Sequence, residues 1–175
     1  GRHRGAGPPA GVAAIGGNFF QRERSIAITV DESAPTWTMH WRSHLTNVSG
    51  RSLSLGNPAS NGGLKGSHYS GLQFRGAREL LDDHLDPTIK IVADGGREGV
   101  EAVHGTPVRW MEWHGQLDTT LHRVIIRFEN NTGPLHGFVR RNYPLAAMPL
   151  QADQNLEVAA GADLLADNNL TFKCV

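Results

Sequence analysis

Residues 36–46 read T-W-T-M-H-W-R-S-H-L-T, and their alternation decides the fold class. Trp37, Met39, Trp41 and Leu45 fall on one side of an extended chain. Thr36, Thr38, His40, Arg42, His44 and Thr46 fall on the other. Side chains of a strand point alternately to its two faces, so this period of two is what a half-buried antiparallel strand needs. Asn47–Gly50 follows as a turn and Arg51–Leu55 starts back, which predicts a hairpin. Upstream, Ser25–Val30 alternates as a further strand, and Asp31–Pro35 is the turn between.

The same pattern recurs downstream. Gly71–Arg75 can form a strand with Leu72 and Phe74 inward. Thr88–Val92, Val108–Trp113 and Thr120–Glu129 read as strands, and Glu98–His104 more weakly so. Phe138–Arg140, Leu156–Ala160 and Leu170–Val175 complete the set. Ala77–His84 is the one short helical possibility, and no helix of three clean turns can be drawn. About nine short strands separated by turn signals predict an all-β, antiparallel β-sandwich. Residues 1–18 are dominated by glycine and proline and predict a loose N-terminal arm. Residues 19–175 then form a single sandwich domain.

Composition narrows the function. Hydrophobic residues make up 39%, enough for a packed core, and Lys+Arg and Asp+Glu balance at 17 each. A neutral chain argues against nucleic acid and against a membrane surface as partner. No run of 18 apolar residues occurs, so no segment spans a bilayer. No secretory signal is visible, and a soluble, cytoplasmic protein is expected. The chain opens with Gly1 rather than Met, which leaves room for an upstream segment. The single cysteine, Cys174, allows neither an intramolecular disulfide nor a thiolate metal site.

Gly56–Arg78 is the densest chemical stretch. It carries six of the 21 glycines together with His68, Tyr69, Gln73, Arg75 and Arg78. Glycine lets a backbone approach a ligand closely, and polar groups on a loop held by a sheet are where binding residues concentrate. The stretch reads as the mouth of a site; a long solvated connection is the other reading. Trp110-Met111-Glu112-Trp113-His114 sets aromatics beside a carboxylate and an imidazole. Aromatic faces stack on sugar rings, while Glu and His bond hydroxyls or move protons. Period two separates Trp110 from Trp113, so one of the two belongs to the core. Arg140-Arg141-Asn142-Tyr143-Pro144 offers one arginine to solvent and another to a carboxylate or a ligand.

Nine histidines raise the question of a metal. His40 and His44 share a strand face, but four residues of strand separate them by ~13 Å. No His-x-His pair, H-E-x-x-H, P-loop, dinucleotide fingerprint or G-x-S-x-G occurs, so neither a metal nor a cofactor is expected.

Leu45-Thr46-Asn47, Leu53-Ser54-Leu55-Gly56-Asn57-Pro58, Tyr69-Ser70-Gly71-Leu72-Gln73-Phe74-Arg75 and Phe138-Val139-Arg140 occur in that order. Over residues 25–175 this run resembles the PmoA-like family of uncharacterised bacterial proteins, labelled methane oxygenase. His68 and Ser70 stand where that family usually has glycines, and Gly137 where it has tryptophan. The family's N-terminal paired histidines have no counterpart here. The resemblance implies part of a galactose-mutarotase-like supersandwich and a place in sugar metabolism. It carries over Tyr69, Arg75 and Arg140 position by position.

The leading expectation is a carbohydrate or sugar acid bound on a concave sheet face. Tyr69, Gln73, Arg75 and Arg140 would hold the ligand, with Arg75 and Arg140 as orienting donors and Tyr69 as stacking platform or proton donor. Acid/base chemistry would fall to His68 or His114 paired with Glu112. The rivals are a non-catalytic interaction module and, following the family label, a metal-dependent oxidoreductase.

Overall fold

The computed structural model describes residues 19–175, and the arm expected over residues 1–18 lies outside them. In chain order the strands are β1 (Phe20–Asp31), β2 (Thr36–Asn47), β3 (Leu53–Leu55), β4 (Leu72–Arg75), β5 (Lys90–Ala93), β6 (Arg97–Glu98) and β7 (Pro107–Val108). Then come β8 (Trp110–Gln116), β9 (Arg123–Asn130), β10 (Leu135–His136), β11 (Phe138–Val139), β12 (Leu145–Met148), β13 (Leu156–Val158) and β14 (Asp163–Cys174). Seven of them form one antiparallel sheet in the order β1-β2-β14-β9-β8-β5-β6. β11-β12-β4 form a smaller sheet, and β10-β7 and β13-β3 are two-stranded pairs. The protein is an all-β antiparallel sandwich.

The core follows from the period of two. Register aligns Val30, Trp37, Phe172, Ile126, Trp113 and Ile91 in one row across the large sheet. Ile28, Met39, Leu170, Phe128, Met111 and Ala93 form the next row on the same face. The smaller sheet turns Leu72, Phe74, Val139, Ala146 and Met148 onto that face. Phe74 is the keystone: its ring centroid lies 5.8 Å from Trp113, 5.5 Å from Phe128 and 5.7 Å from Phe172. Trp113 is the core tryptophan of the pair, and Trp110 lies on the opposite face.

Three expectations are corrected. β2 does not form a hairpin with Arg51–Leu55; its partners are β1 and β14, and β3 pairs with β13. Asn47 is the reason. Its buried amide reaches the carbonyls of Arg51 at 2.8 Å and Val158 at 2.8 Å, which turns the chain off the sheet after β2. Ala77–His84 is not helical beyond a single tight turn at Arg78–Leu80. Glu98–His104 is not a strand: β6 ends at Glu98, and Gly99–Val103 makes one helical turn, α1. Among the described residues no helix is long and apolar enough to cross a membrane.

Candidate functional site

The smaller sheet has its own period of two, and its outer face carries the site. Leu72 and Phe74 point inward, so Gln73 and Arg75 point out and are exposed. Arg75 lies opposite Leu145 on β12. The Arg140 N–H donates to the Leu145 carbonyl at 3.2 Å, so Arg140 continues β11 on the far side of the same residue. Arg75 and Arg140 therefore flank Leu145 in one row, roughly 10 Å apart at the backbone, or two strand spacings.

Both guanidinium groups lean over one ring. The Arg75 Cζ lies 5.8 Å from the Tyr143 centroid and the Arg140 Cζ 5.6 Å from it. Arg140 also lies 5.7 Å from the Tyr69 ring. The Tyr69 and Tyr143 hydroxyls share a hydrogen bond of 2.7 Å. Burial, and then the bond to Tyr143, push the Tyr69 phenol above its ordinary value, so it keeps its proton at neutral pH. Arg75, Arg78, Asn142 and Tyr143 line a cleft of about 310 Å³ floored by Leu81 and Leu85. A second hollow of about 280 Å³ continues from Asn142 to Arg140 and Arg141. Arg141 pairs with Glu101. Among the described residues, Arg75, Arg78 and Arg140 meet no carboxylate at all.

The glycine-rich stretch is in part a third layer over this face: Asn57, Ser67 and His68 are buried, while residues 61–65 stay exposed to solvent. Phe138 points outward from the smaller sheet yet is fully buried, because Tyr69 packs edge-on against it at 4.6 Å. Asn57 anchors the stretch through the carbonyls of Gln151 and Ala152, at 3.0 and 2.8 Å. Gly71 has φ +69°, and a Cβ there would sit 2.1 Å from the Met148 carbonyl oxygen, so only glycine lets the loop drop into β4. His68 is buried beneath, stacked on His104 at 5.8 Å, with Nε2 3.0 Å from Asp153 Oδ1. That bond is the main reason the Asp153 carboxyl is held below its usual range. His104 faces the carbonyls of Val139 at 2.8 Å and Gly66 at 2.9 Å. These histidines fasten the loop to β11.

Glu112 and His114 lie elsewhere. On β8, Met111 and Trp113 enter the core, so Trp110, Glu112 and His114 project from the opposite face of the large sheet. Glu112 accepts from Arg127 Nη1 at 2.7 Å and lies 2.8 Å from His114 Nε2. Arg127 also donates to Glu129 at 3.0 Å and covers the Trp110 ring at 4.2 Å. Burial works against ionisation of Glu112, but the bonds from Arg127 and His114 outweigh it and hold the carboxyl below its ordinary value. The expected pairing of Glu112 with His114 forms. His68 and Glu112 are separated by the thickness of the sandwich and form no acid/base pair.

Of the seven candidate residues, Tyr69, Gln73, Arg75 and Arg140 share one face, His68 supports it from below, and Glu112 and His114 form a separate cluster. Tyr143 is the residue that sequence reasoning misses, although it stands in the R-R-N-Y-P run beside the arginines that draw notice there. Among the described residues no three His, Cys, Asp or Glu side chains come together as a metal site.

Fold and site together define an antiparallel β-sandwich with an arginine–tyrosine cleft on its smaller sheet. The chain belongs to the family of unknown function DUF6807, which matches residues 13–173. No curated protein and no solved structure matches it.

Proposed function

We propose that this protein binds a small carboxylate-bearing sugar, a uronic or aldonic acid, in the cleft between Arg75 and Arg140. One observation carries the reading: two arginines with no acidic partner among the described residues converge on the Tyr143 ring. A guanidinium fork matches a carboxylate in two parallel hydrogen bonds, and such charge-assisted bonds are the strong ones. Tyr143 and Tyr69 add ring faces for the apolar side of a sugar, and their hydroxyls, Gln73 and Asn142 supply groups for its hydroxyls. The hollow on the Arg75 side of Tyr143, about 310 Å³, suits a single sugar ring, and the one that continues from Asn142 to Arg140 measures about 280 Å³. The resemblance of the segments that hold Tyr69, Arg75 and Arg140 to PmoA-like proteins is what favours a sugar as the bearer of the carboxylate. Glu112 and His114 lie on the other face and are no part of this binding site.

Titration calorimetry with glucuronate, gluconate and glucose tests the reading. Binding of either acid with neutral glucose silent is the expected result. No heat from either acid, or equal binding of glucose, would overturn it.

A further inference from the structure

The large sheet ends in β1, and no strand among the described residues pairs with its outer edge. β1 is 12 residues long. Such an edge presents a row of free N–H and C=O groups, a ready template for another strand. Proteins that keep an edge bare guard it with charge, proline or a bulge. Arg22, Glu23 and Arg24 guard the first half of β1. The second half, Ser25-Ile26-Ala27-Ile28-Thr29-Val30, carries neither charge nor proline and pairs with β2 in unbroken register. Ile26, Ile28 and Val30 are 58%, 64% and 64% exposed. They share their face with Trp37, itself 37% exposed.

We propose that β1 joins a second copy of this chain, edge to edge and antiparallel, about a two-fold axis at Ile28. The argument is self-complementarity. A two-fold axis perpendicular to a sheet reverses the strand and keeps its faces, so an inward residue must meet an inward residue. With the axis at Ile28, that residue meets its own copy and Ile26 meets Val30. Ala27 meets Thr29 and Ser25 meets Asp31, and Arg24 comes opposite Glu32, the first residue of the turn that follows β1. Apolar faces apolar, and charge faces opposite charge. An axis at Ala27 would set Glu23 against Asp31, two acids directly opposed, which is destabilising. An axis at Ile26 would set Arg24 beside Ile28 and Arg22 beside Val30. The axis at Ile28 avoids both faults. The product is one continuous sheet through both copies, with the isoleucine and valine strips of the two chains side by side. This interface is independent of the arginine–tyrosine cleft.

Light scattering coupled to size exclusion on the whole chain, across a concentration series, is the test. A dimer is expected. Ile28→Lys places two ammonium groups against each other on the axis and should leave a monomer with unchanged circular dichroism. Arg24→Glu should weaken the dimer about tenfold by opposing Glu32 with like charge, and Arg24→Glu with Glu32→Arg should restore it. The charge exchange decides the matter even if Ile28→Lys folds poorly. A monomer at every concentration overturns the proposal. So does a dimer that survives Ile28→Lys, or one that the charge exchange does not rescue.

Discussion

Arg127 and Arg140 occupy the two outer surfaces of the sandwich, each beside an aromatic ring, and the difference lies in their company. Arg127 covers Trp110 and is bonded by Glu112 and Glu129. Arg140 lies over Tyr69 and Tyr143 and, among the described residues, meets no carboxylate. The first arginine has its counter-charge built into the sheet. Nothing is gained by offering it a second anion, because a ligand would have to displace two carboxylates already in place. The second holds its charge ready with its aromatic packing already made, so an incoming anion meets a preorganised donor. The contrast separates a structural ion cluster from the proposed binding site more sharply than residue type does, since both surfaces hold Arg with an aromatic ring.

Arg140→Ala should break the comparison on the binding side with the largest effect. Loss of a two-pronged contact to a carboxylate is expected to weaken sugar-acid binding about 100-fold, near 2.7 kcal/mol. The melting temperature should stay nearly constant, because no described carboxylate depends on Arg140. Calorimetry beside a thermal melt reads both; a large drop in melting temperature with binding retained would make Arg140 a strut. Arg127→Ala should do the reverse. It leaves partly buried Glu112 with His114 alone and uncovers Trp110. Discounted for the solvent that reaches the cluster, the loss is about 1–2 kcal/mol. For a chain of this size that lowers the melting temperature by roughly 2–8 °C, with sugar-acid affinity unchanged.

The two surfaces also differ in how plainly the sequence announced them. β2, β8 and β9 were legible because each buries one face only, so apolar and polar residues alternate. β12 was not: Leu145-Ala146-Ala147-Met148 runs between two strands with Ala146, Ala147 and Met148 all buried, and alternation vanishes when both faces are covered. The first half of β14 was hidden by Asp167-Asn168-Asn169, residues rare in strands. Asn168 is nonetheless buried there, accepting from the Asn130 amide at 2.8 Å across the sheet. Arg75, Tyr69 and Arg140 could be chosen from short motifs. That they converge on Tyr143 could not, because the meeting is made by the β4–β12–β11 register, a long-range pairing no local pattern encodes. Glu112 and His114 show the opposite failure. Their proximity followed from period two, but Arg127 arrives from another strand and fixes the pair as an ion cluster.

Glu112→Gln sharpens the ion-cluster half by pH. The native carboxyl is held below its ordinary value of 4.5, so its ionised form stabilises the fold above that value. That contribution disappears as pH falls through the lowered native value, since the unfolded chain takes up the proton first. The variant should be less stable than wild type at neutral pH, by under about 1 kcal/mol because the amide keeps an acceptor for Arg127. Its denaturation midpoint should converge on wild type as the pH falls below 4.5. A gap that persists unchanged into acid would mean that geometry, not charge, holds the cluster together.

The smallest effect belongs to the hydroxyl pair, and it runs the other way in pH. Burial and the Tyr143 bond raise the Tyr69 phenol above its ordinary value of 10.0. The native state therefore keeps this proton after the unfolded chain has begun to lose its own. The stabilisation is complete below the ordinary value and fades as pH rises through the native one. Ultraviolet titration should find one tyrosine ionising later than free tyrosine, and Tyr69→Phe should remove that late step. The substitution leaves the ring over Phe138, so the stability lost below pH 10 should be about 1 kcal/mol or less. If the late step survives in Tyr69→Phe, the burial of Tyr69 and its bond to Tyr143 are not what raises it, and the assignment fails.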